Sequence, residues 1–199
     1  VDTLYGGDGI DHIYGFTGND VLDGGAGDDK IVGGLGDDTI TAGAGDDYIM
    51  AQTGDDTITT GSGSDTVLGG LGNDSITVDG TGNKTINGGS GTDTLVMNYA
   101  SYTLADFSIS YNSSTNTVSF TDPNGGVVAA SNFELFTFGG VSYHFIYDGY
   151  DYNSQTQINN GASSDISNGA NNRISHAFIS NDGTKAFLYS PSDSSYTNY

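Results

Sequence analysis

The chain has 199 residues, with 4 Lys plus Arg against 25 acidic residues, no Cys and a formal charge of -21. That length holds one or two small domains, and the charge excludes nucleic acid and anionic membrane surfaces as partners, because phosphate binding needs clustered Lys and Arg. Without Cys there is neither a disulfide framework nor thiolate metal chemistry, and no apolar run approaches the roughly 18 residues that span a bilayer.

The chain opens in mid-pattern at Val1-Asp2-Thr3-Leu4, with no cleavable signal-peptide pattern, as expected of a piece of a longer protein. From Gly6 a period of nine dominates. Units start at Gly6, Gly15, Gly24, Gly33, Ala42, Ala51, Thr60, Gly69, Asp79 and Gly88, with Val78 inserted. The fourth position is Gly in every unit, including Gly9, Gly18, Gly27, Gly36, Gly45, Gly54, Gly63, Gly72, Gly82 and Gly91. The sixth is Asp in all units but one: Asp11, Asp20, Asp29, Asp38, Asp47, Asp56, Asp65, Asp74 and Asp93, with Lys84 the exception. The eighth is always aliphatic, from Ile13 and Leu22 to Ile86 and Leu95.

Gly tolerates positive φ and close backbone approach, so the first six residues of a unit read as a tight turn. The last three read as a very short strand whose middle, aliphatic side chain points inward. Two units then complete one coil of a flattened solenoid. Every second unit stacks on the same edge, so Asp11, Asp29, Asp47 and Asp65 line one column and Asp20, Asp38, Asp56, Asp74 and Asp93 the other.

This G-G-x-G-x-D-x-U-x pattern, carried from Gly6 to Val96, resembles the repeat-in-toxin family of calcium-binding repeats. The resemblance implies an all-β fold, a right-handed parallel β-roll followed by a β-rich C-terminal cap, with each Ca2+ held between successive loops of one edge. It implies side-chain ligands from the sixth-position Asp residues and carbonyl ligands from the early loop positions, among them Gly24, Gly25, Gly27, Gly33, Gly34, Gly36, Gly43, Gly45 and Gly54. Six or seven ions are expected. Lys84 puts a cation where a ligand belongs, so the site between the Asp65 loop and its neighbour is expected to be empty of metal. Phe16 and Gln52 replace the second glycine, yet their carbonyls stay available if the loop geometry survives.

Calcium suits these residues on physical grounds as well, being a hard cation that takes six to eight oxygens. Residues 1–96 carry 17 Asp against Lys30 and Lys84, and carboxylates stacked near the ~4.8 Å coil spacing repel without a counter-ion. One aliphatic side chain per unit cannot offset the entropy of ordering nine residues at about 1–2 kcal/mol each, so metal binding is expected to supply folding free energy. Extracellular calcium modules bind at about 10⁻⁴–10⁻³ M, which predicts a chain disordered inside a cell and folded outside. The resemblance likewise implies an extracellular or cell-surface location reached by type I secretion.

On the outward faces, Thr39, Thr41, Thr57, Thr59, Ser75 and Thr77 form a hydroxyl ladder. The other face presents His12, Tyr14, Lys30, Val32, Tyr48, Met50, Thr66 and Leu68, and is expected to be covered by the C-terminal half of the chain, with packing on a partner as the alternative.

After residue 96 the repeat stops and aromatics rise. Residues 97–147 read as a β-rich capping segment, with strands around Phe107–Tyr111 and Thr117–Thr121, a turn at Asp122–Gly126 and further strands through Phe138 and Val141–Tyr147. Residues 148–199 form a polar segment read as secretion signal, linker or assembly contact, with a strand pair near Ile174–Ile179 and Ala186–Tyr189. No H-E-x-x-H or G-x-S-x-G motif occurs and the three His are dispersed, so the chain itself is not expected to be an enzyme. The parent protein is expected to be a surface adhesin or surface-layer protein, with self-association or a cell-surface partner. Two alternatives stand beside it: the export and folding module of a secreted enzyme or toxin, and ice or crystal binding through the threonine face.

Overall fold

The computed structural model describes residues 1–112, 114–147, 176–180, 186–189 and 196–198. In chain order the strands are β1 (Thr3–Asp8), β2 (His12–Thr17), β3 (Val21–Ala26), β4 (Lys30–Leu35), β5 (Thr39–Ala44), β6 (Tyr48–Thr53), β7 (Thr57–Ser62), β8 (Asp65–Leu71), β9 (Ser75–Val78), β10 (Lys84–Ser90) and β11 (Thr94–Met97). A single 3-10 turn, Leu104–Asp106, leads to β12 (Ser108–Asn112), β13 (Thr117–Thr121), β14 (Val127–Ser131), β15 (Leu135–Phe138) and β16 (Val141–Tyr147). The last described strands are β17 (His176–Ser180), β18 (Ala186–Tyr189) and β19 (Tyr196–Asn198).

The chain folds as a parallel β-solenoid. Odd strands β1 to β11 pair in parallel in one sheet and even strands β2 to β10 in the other. Register follows the repeat, with Leu22 beside Ile40, Ile40 beside Ile58 and Ile58 beside Ile76. Partners are two units apart, so two units make one coil. The eighth-position aliphatics of both sheets meet inside: Leu22, Ile31, Ile40, Ile49, Ile58, Val67, Ile76 and Ile86 are buried. Val78, the inserted residue, also turns inward and pairs with Met97.

The strands are longer than the three residues read from the sequence. All of β1 to β11 except β9 and β11 run on through the first three positions of the next unit, so β3 holds Gly24 and Gly25 and β4 holds Gly33 and Gly34. The physical reason lies in the stacking: the second-position glycine takes positive φ, +100° at Gly25, and the ladder resumes beyond it in register, Gly25 beside Gly43. Only positions four to six form the turn.

The stack continues past the repeats. β14 lies parallel to β10 and β15 parallel to β11, adding one more coil. Antiparallel strands then close it, β13 and β12 beside β14 and β16 beside β15. An aromatic core fills this end, with Phe120 of one sheet stacked on Phe136 of the other at 4.9 Å and Phe107 edge-on to Phe138 at 5.3 Å. The strand pair expected near 174–189 is present as antiparallel β17 and β18. Residues 148–175 of the polar segment lie outside the described residues.

Candidate metal centre

Each sixth-position Asp closes a turn and looks sideways along its edge. Its Oδ1 accepts the backbone N–H of the Asp one coil earlier: Asp29 from Asp11 at 2.8 Å, Asp38 from Asp20 at 2.8 Å, Asp47 from Asp29 at 2.9 Å, Asp56 from Asp38 at 2.8 Å. Asp65, Asp74 and Asp93 continue the pattern from Asp47, Asp56 and Asp74. The two predicted columns are therefore continuous ladders of carboxylates.

The fourth-position glycines make this stacking possible. Gly27 has φ +127°, and any Cβ there would collide with the carbonyl of Gly9 in the coil before it. Its N–H donates to the Ala44 carbonyl at 2.7 Å, and Gly36, Gly45 and Gly54 repeat the bond to Thr53, Ser62 and Leu71. At the first position, Gly24 and Gly33 lie against the Asp29 and Asp38 carboxylates, where a side chain would fill the space beside Oδ2. Phe16 and Gln52 keep the second-position geometry, with φ of +67° and +83°.

The second oxygen of each carboxylate is the informative atom. Oδ2 of Asp11, Asp20, Asp29, Asp38, Asp47, Asp56, Asp74 and Asp93 is buried with no hydrogen bond made to it, and that of Asp65, equally buried, meets only a lysine ammonium. Buried polar atoms in proteins almost always have a partner, and leaving one without costs about 1–3 kcal/mol or more when it is charged. Eight at the same repeat position define a row of places that want a cation.

At one place that cation is part of the chain. Lys84 Nζ lies 2.7 Å from Asp65 Oδ2, and it donates to the carbonyls of Gly63 at 2.5 Å and Thr81 at 3.1 Å. Both side chains are fully buried. The gap between the Asp65 loop and its neighbour was expected to be empty of metal; an ammonium fills it. Its three contacts show what each gap offers: one carboxylate oxygen and the carbonyls of two stacked loops. No three acidic or His side chains converge on one point among the described residues, so a metal here would draw most of its oxygens from backbone. Calcium, which takes carboxylate and carbonyl oxygens alike, fits that donor set.

Six of the column carboxylates resist ionisation. Burial first, then the neighbouring carboxylates of the column, push Asp56 up to about 7 and Asp47 and Asp93 to about 6. Asp38, Asp65 and Asp74 are also raised, chiefly by burial.

Two features escape the sequence reading. The fifth position carries an outer ladder running the opposite way, in which Asp28 Oδ1 accepts the Asp46 N–H at 2.8 Å and Asp37 Oδ1 that of Asp55 at 3.0 Å. The Asp-Asp pairs at 28–29, 37–38, 46–47 and 55–56 carry its signal. The other is Glu134, whose Oε2 accepts the Asp93 N–H at 2.8 Å and so extends a column beyond the repeats.

On the odd-strand face, Thr39, Thr57 and Ser75 stand in register, as do Thr41, Thr59 and Thr77. The even-strand face was expected to be covered by the C-terminal half, of which residues 148–175 lie outside the described residues. The described part of the C-terminal half stacks on the end of the roll and leaves this face open, with Tyr14 at 41% and Tyr48 at 39% exposure and Tyr14 stacked on Phe16. The parallel ladder explains this, because β10 and β11 offer open edges that β14 and β15 complete.

Comparison with known proteins agrees with this architecture in its first half. The model of the RTX calcium-binding nonapeptide repeat matches in four copies, over residues 1–31, 24–58, 41–76 and 78–96. No curated protein matches the chain. Among solved structures, the extracellular lipase LipA from Serratia marcescens is similar at 25% identity and a TM-score of 0.41, over 49% of this chain and 16% of the lipase. The chain thus spans about a sixth of that protein's length.

Proposed function

We propose, on the premise that residues 1–96 belong to the RTX calcium-binding nonapeptide repeats, that this chain is an extracellular module whose folding is driven by calcium after export. The eight orphaned Oδ2 atoms carry this reading. Facing loops of one edge would hold each ion through the sixth-position carboxylate and the carbonyls that Lys84 marks out, those of positions three and four. Stacked repeat loops leave three such gaps on the edge of Asp11, Asp29, Asp47 and Asp65, and four on the edge of Asp20, Asp38, Asp56, Asp74 and Asp93. That makes seven, at the upper end of the count expected from sequence. When bound, calcium neutralises the column; the chain's residues position the carboxylates, exclude water from them and exact a heavy penalty when they are left charged and alone.

The parent is a surface adhesin or surface-layer protein in this reading. The open even-strand face supports it: Tyr14, Phe16 and Tyr48 are exposed aromatics on a rigid sheet, a composition that marks contact surfaces.

Far-UV circular dichroism during calcium titration of chelated protein, with magnesium as control, tests the folding reading. A cooperative rise of β-structure at about 10⁻⁴–10⁻³ M calcium is expected; full β-structure in chelator would overturn it. Sedimentation of the folded chain tests the adhesive reading, which predicts self-association that Tyr14→Ser with Tyr48→Ser weakens.

A further inference from the structure

The repeats end at residue 96, but one of the two carboxylate columns does not. On the edge of Asp20, Asp38, Asp56, Asp74 and Asp93 the next level belongs to the cap. Leu135 pairs with Thr94 as Thr94 pairs with Ser75, so Glu134 holds the place a sixth-position Asp would hold in a further unit. Its carboxylate behaves accordingly, since Oε2 takes the Asp93 N–H at 2.8 Å just as Asp93 Oδ1 takes that of Asp74 at 2.8 Å. The backbone repeats the match. The Asn132 carbonyl lies against Gly88 where, in the roll, the Gly88 carbonyl lies against Gly69 and the Ala42 carbonyl against Gly24. The three-residue segment Asn132–Glu134 thus places one carbonyl and one carboxylate, on a longer side chain, where a repeat turn places its own.

Asp93 is fully buried, and its Oδ2 is one of the eight orphaned atoms. The other edge shows what such an atom accepts at the end of a column. There Lys84, standing at the sixth position, closes the last gap with its ammonium on Asp65 Oδ2 and the Gly63 carbonyl. The corresponding carbonyl beside Asp93 is that of Gly91, and the residue across the gap is a glutamate rather than a lysine. Asp74 and Glu134 stand on either side of Asp93 in the column, so this gap gathers carboxylates where its counterpart carries its own cation.

We infer that Asp93, the Gly91 carbonyl and the Asn132–Glu134 segment form a divalent-cation site between the last repeat loop and the cap, one level beyond those the nonapeptide repeats define. A hard cation of the calcium class suits it, because every donor is oxygen. The site rests on the calcium reading above and extends it: the ion fastens the capping segment to the roll, so closure of the open end becomes part of the same calcium-dependent step. The two edges then finish differently, one with a tethered ammonium and one with a metal ion shared with the cap.

The test counts ions on the full chain by equilibrium dialysis against calcium, with metal analysis of the folded protein. Glu134→Gln is expected to bind one ion fewer than the unaltered chain, with the same circular dichroism in saturating calcium and faster amide exchange in β14 and β15. Should Glu134→Gln fail to fold, Glu134→Lys decides, because its ammonium can meet Asp93 Oδ2 as that of Lys84 meets Asp65; it is expected to fold and again to bind one ion fewer. An unchanged ion count in whichever variant folds would overturn the site. Absence of calcium binding by the unaltered chain would instead overturn the reading on which it rests.

Discussion

The roll and its cap share two continuous sheets, yet different forces hold them. In the roll, each nine-residue unit buries an aliphatic side chain at the eighth position, and from Asp20 on every unit but that of Lys84 buries a carboxylate at the sixth. In the cap, Phe107, Phe120, Phe133, Phe136 and Phe138 are all buried within 32 residues, and Tyr99 packs on Phe107 at 5.2 Å. Large aromatic side chains dominate the energetics of any core they enter, whereas a buried carboxylate destabilises until a cation joins it. On the calcium reading, the same ladder of backbone hydrogen bonds passes, within one coil, from a stretch proposed to depend on metal to a stretch that depends on apolar burial. β10 and β11 are the joint.

Withdrawing calcium should separate the two regions most widely. As free calcium is lowered by chelator, amides of β2 to β8 are expected to lose hydrogen-exchange protection completely, at a calcium level where β12 to β14 still retain theirs. A single shared midpoint for both regions would mean that the joint transmits stability freely, and the contrast between them would fall.

Side-chain deletions draw the contrast at smaller scale. Phe120→Ala removes a ring stacked between the sheets and should cost about 3–5 kcal/mol, in calcium and in chelator alike, by urea unfolding followed at the cap. Asp56→Ala should cost a comparable amount, about 3–5 kcal/mol, only in calcium, the scale of breaking one side of a buried ion pair. In chelator it removes a buried acid held at about 7 and should cost far less. Equal losses in the two conditions would show that Asp56 acts through its hydrogen bond to the Asp38 N–H rather than through a metal.

How much of this was legible in the sequence differs between the same two regions. In the roll a strict period of nine encodes the fold position by position: Ile40, Ile58 and Ile76 announce the core and Asp38, Asp56 and Asp74 the column, because one geometry serves every coil. Strand length was not legible, since Gly24 and Gly25 look like turn residues until a stacked neighbour shows that they continue the ladder. In the cap, alternation predicted β12 and β13 correctly, for local pattern is enough to make a hairpin. It gave no hint that β14 and β15 add a further coil, or that the chain's one glutamate stands in an aspartate column. That equivalence depends on pairing between residues 41 apart, which no local spacing records. The role of Glu134 thus emerges only from the register, whereas Lys84 already stands out in the repeat as a cation in a ligand's place.

Acidity should act on the roll in opposite directions with and without metal. Asp56 near 7 and Asp47 and Asp93 near 6 in the metal-free fold stand above the unfolded value of about 3.9. Between those limits the folded chain binds more protons than the unfolded one, so metal-free stability is fully present below the unfolded pKa and is lost as pH rises through 6 to 7. Calcium needs the same groups ionised. Circular dichroism in chelator should therefore show more β-structure at pH 5 than at pH 7.5. The calcium midpoint should rise on acidification, by about a decade per pH unit for each proton displaced. Cap strands, with no raised carboxylate among them, should shift little.

The smallest expected effect is the gain of a single ion at Lys84. Its ammonium stands between the Asp65 carboxylate and two loop carbonyls, so that level of the column is satisfied whether or not calcium is present, and it lies directly beside the joint with the cap. Lys84→Asp restores the repeat's usual residue and removes the built-in cation. The variant should bind one calcium more than the unaltered chain by equilibrium dialysis, reach the same circular dichroism in saturating calcium, and begin to unfold at a higher free calcium. Lys84→Met offers neither charge nor ligand, and should lose about 3–5 kcal/mol in chelator, because Asp65 is left buried without a partner. If Lys84→Asp folds with an unchanged ion count, the gap beside Asp65 is not equivalent to the levels below it. The lysine would then be part of the cap's packing rather than the last rung of a cation ladder.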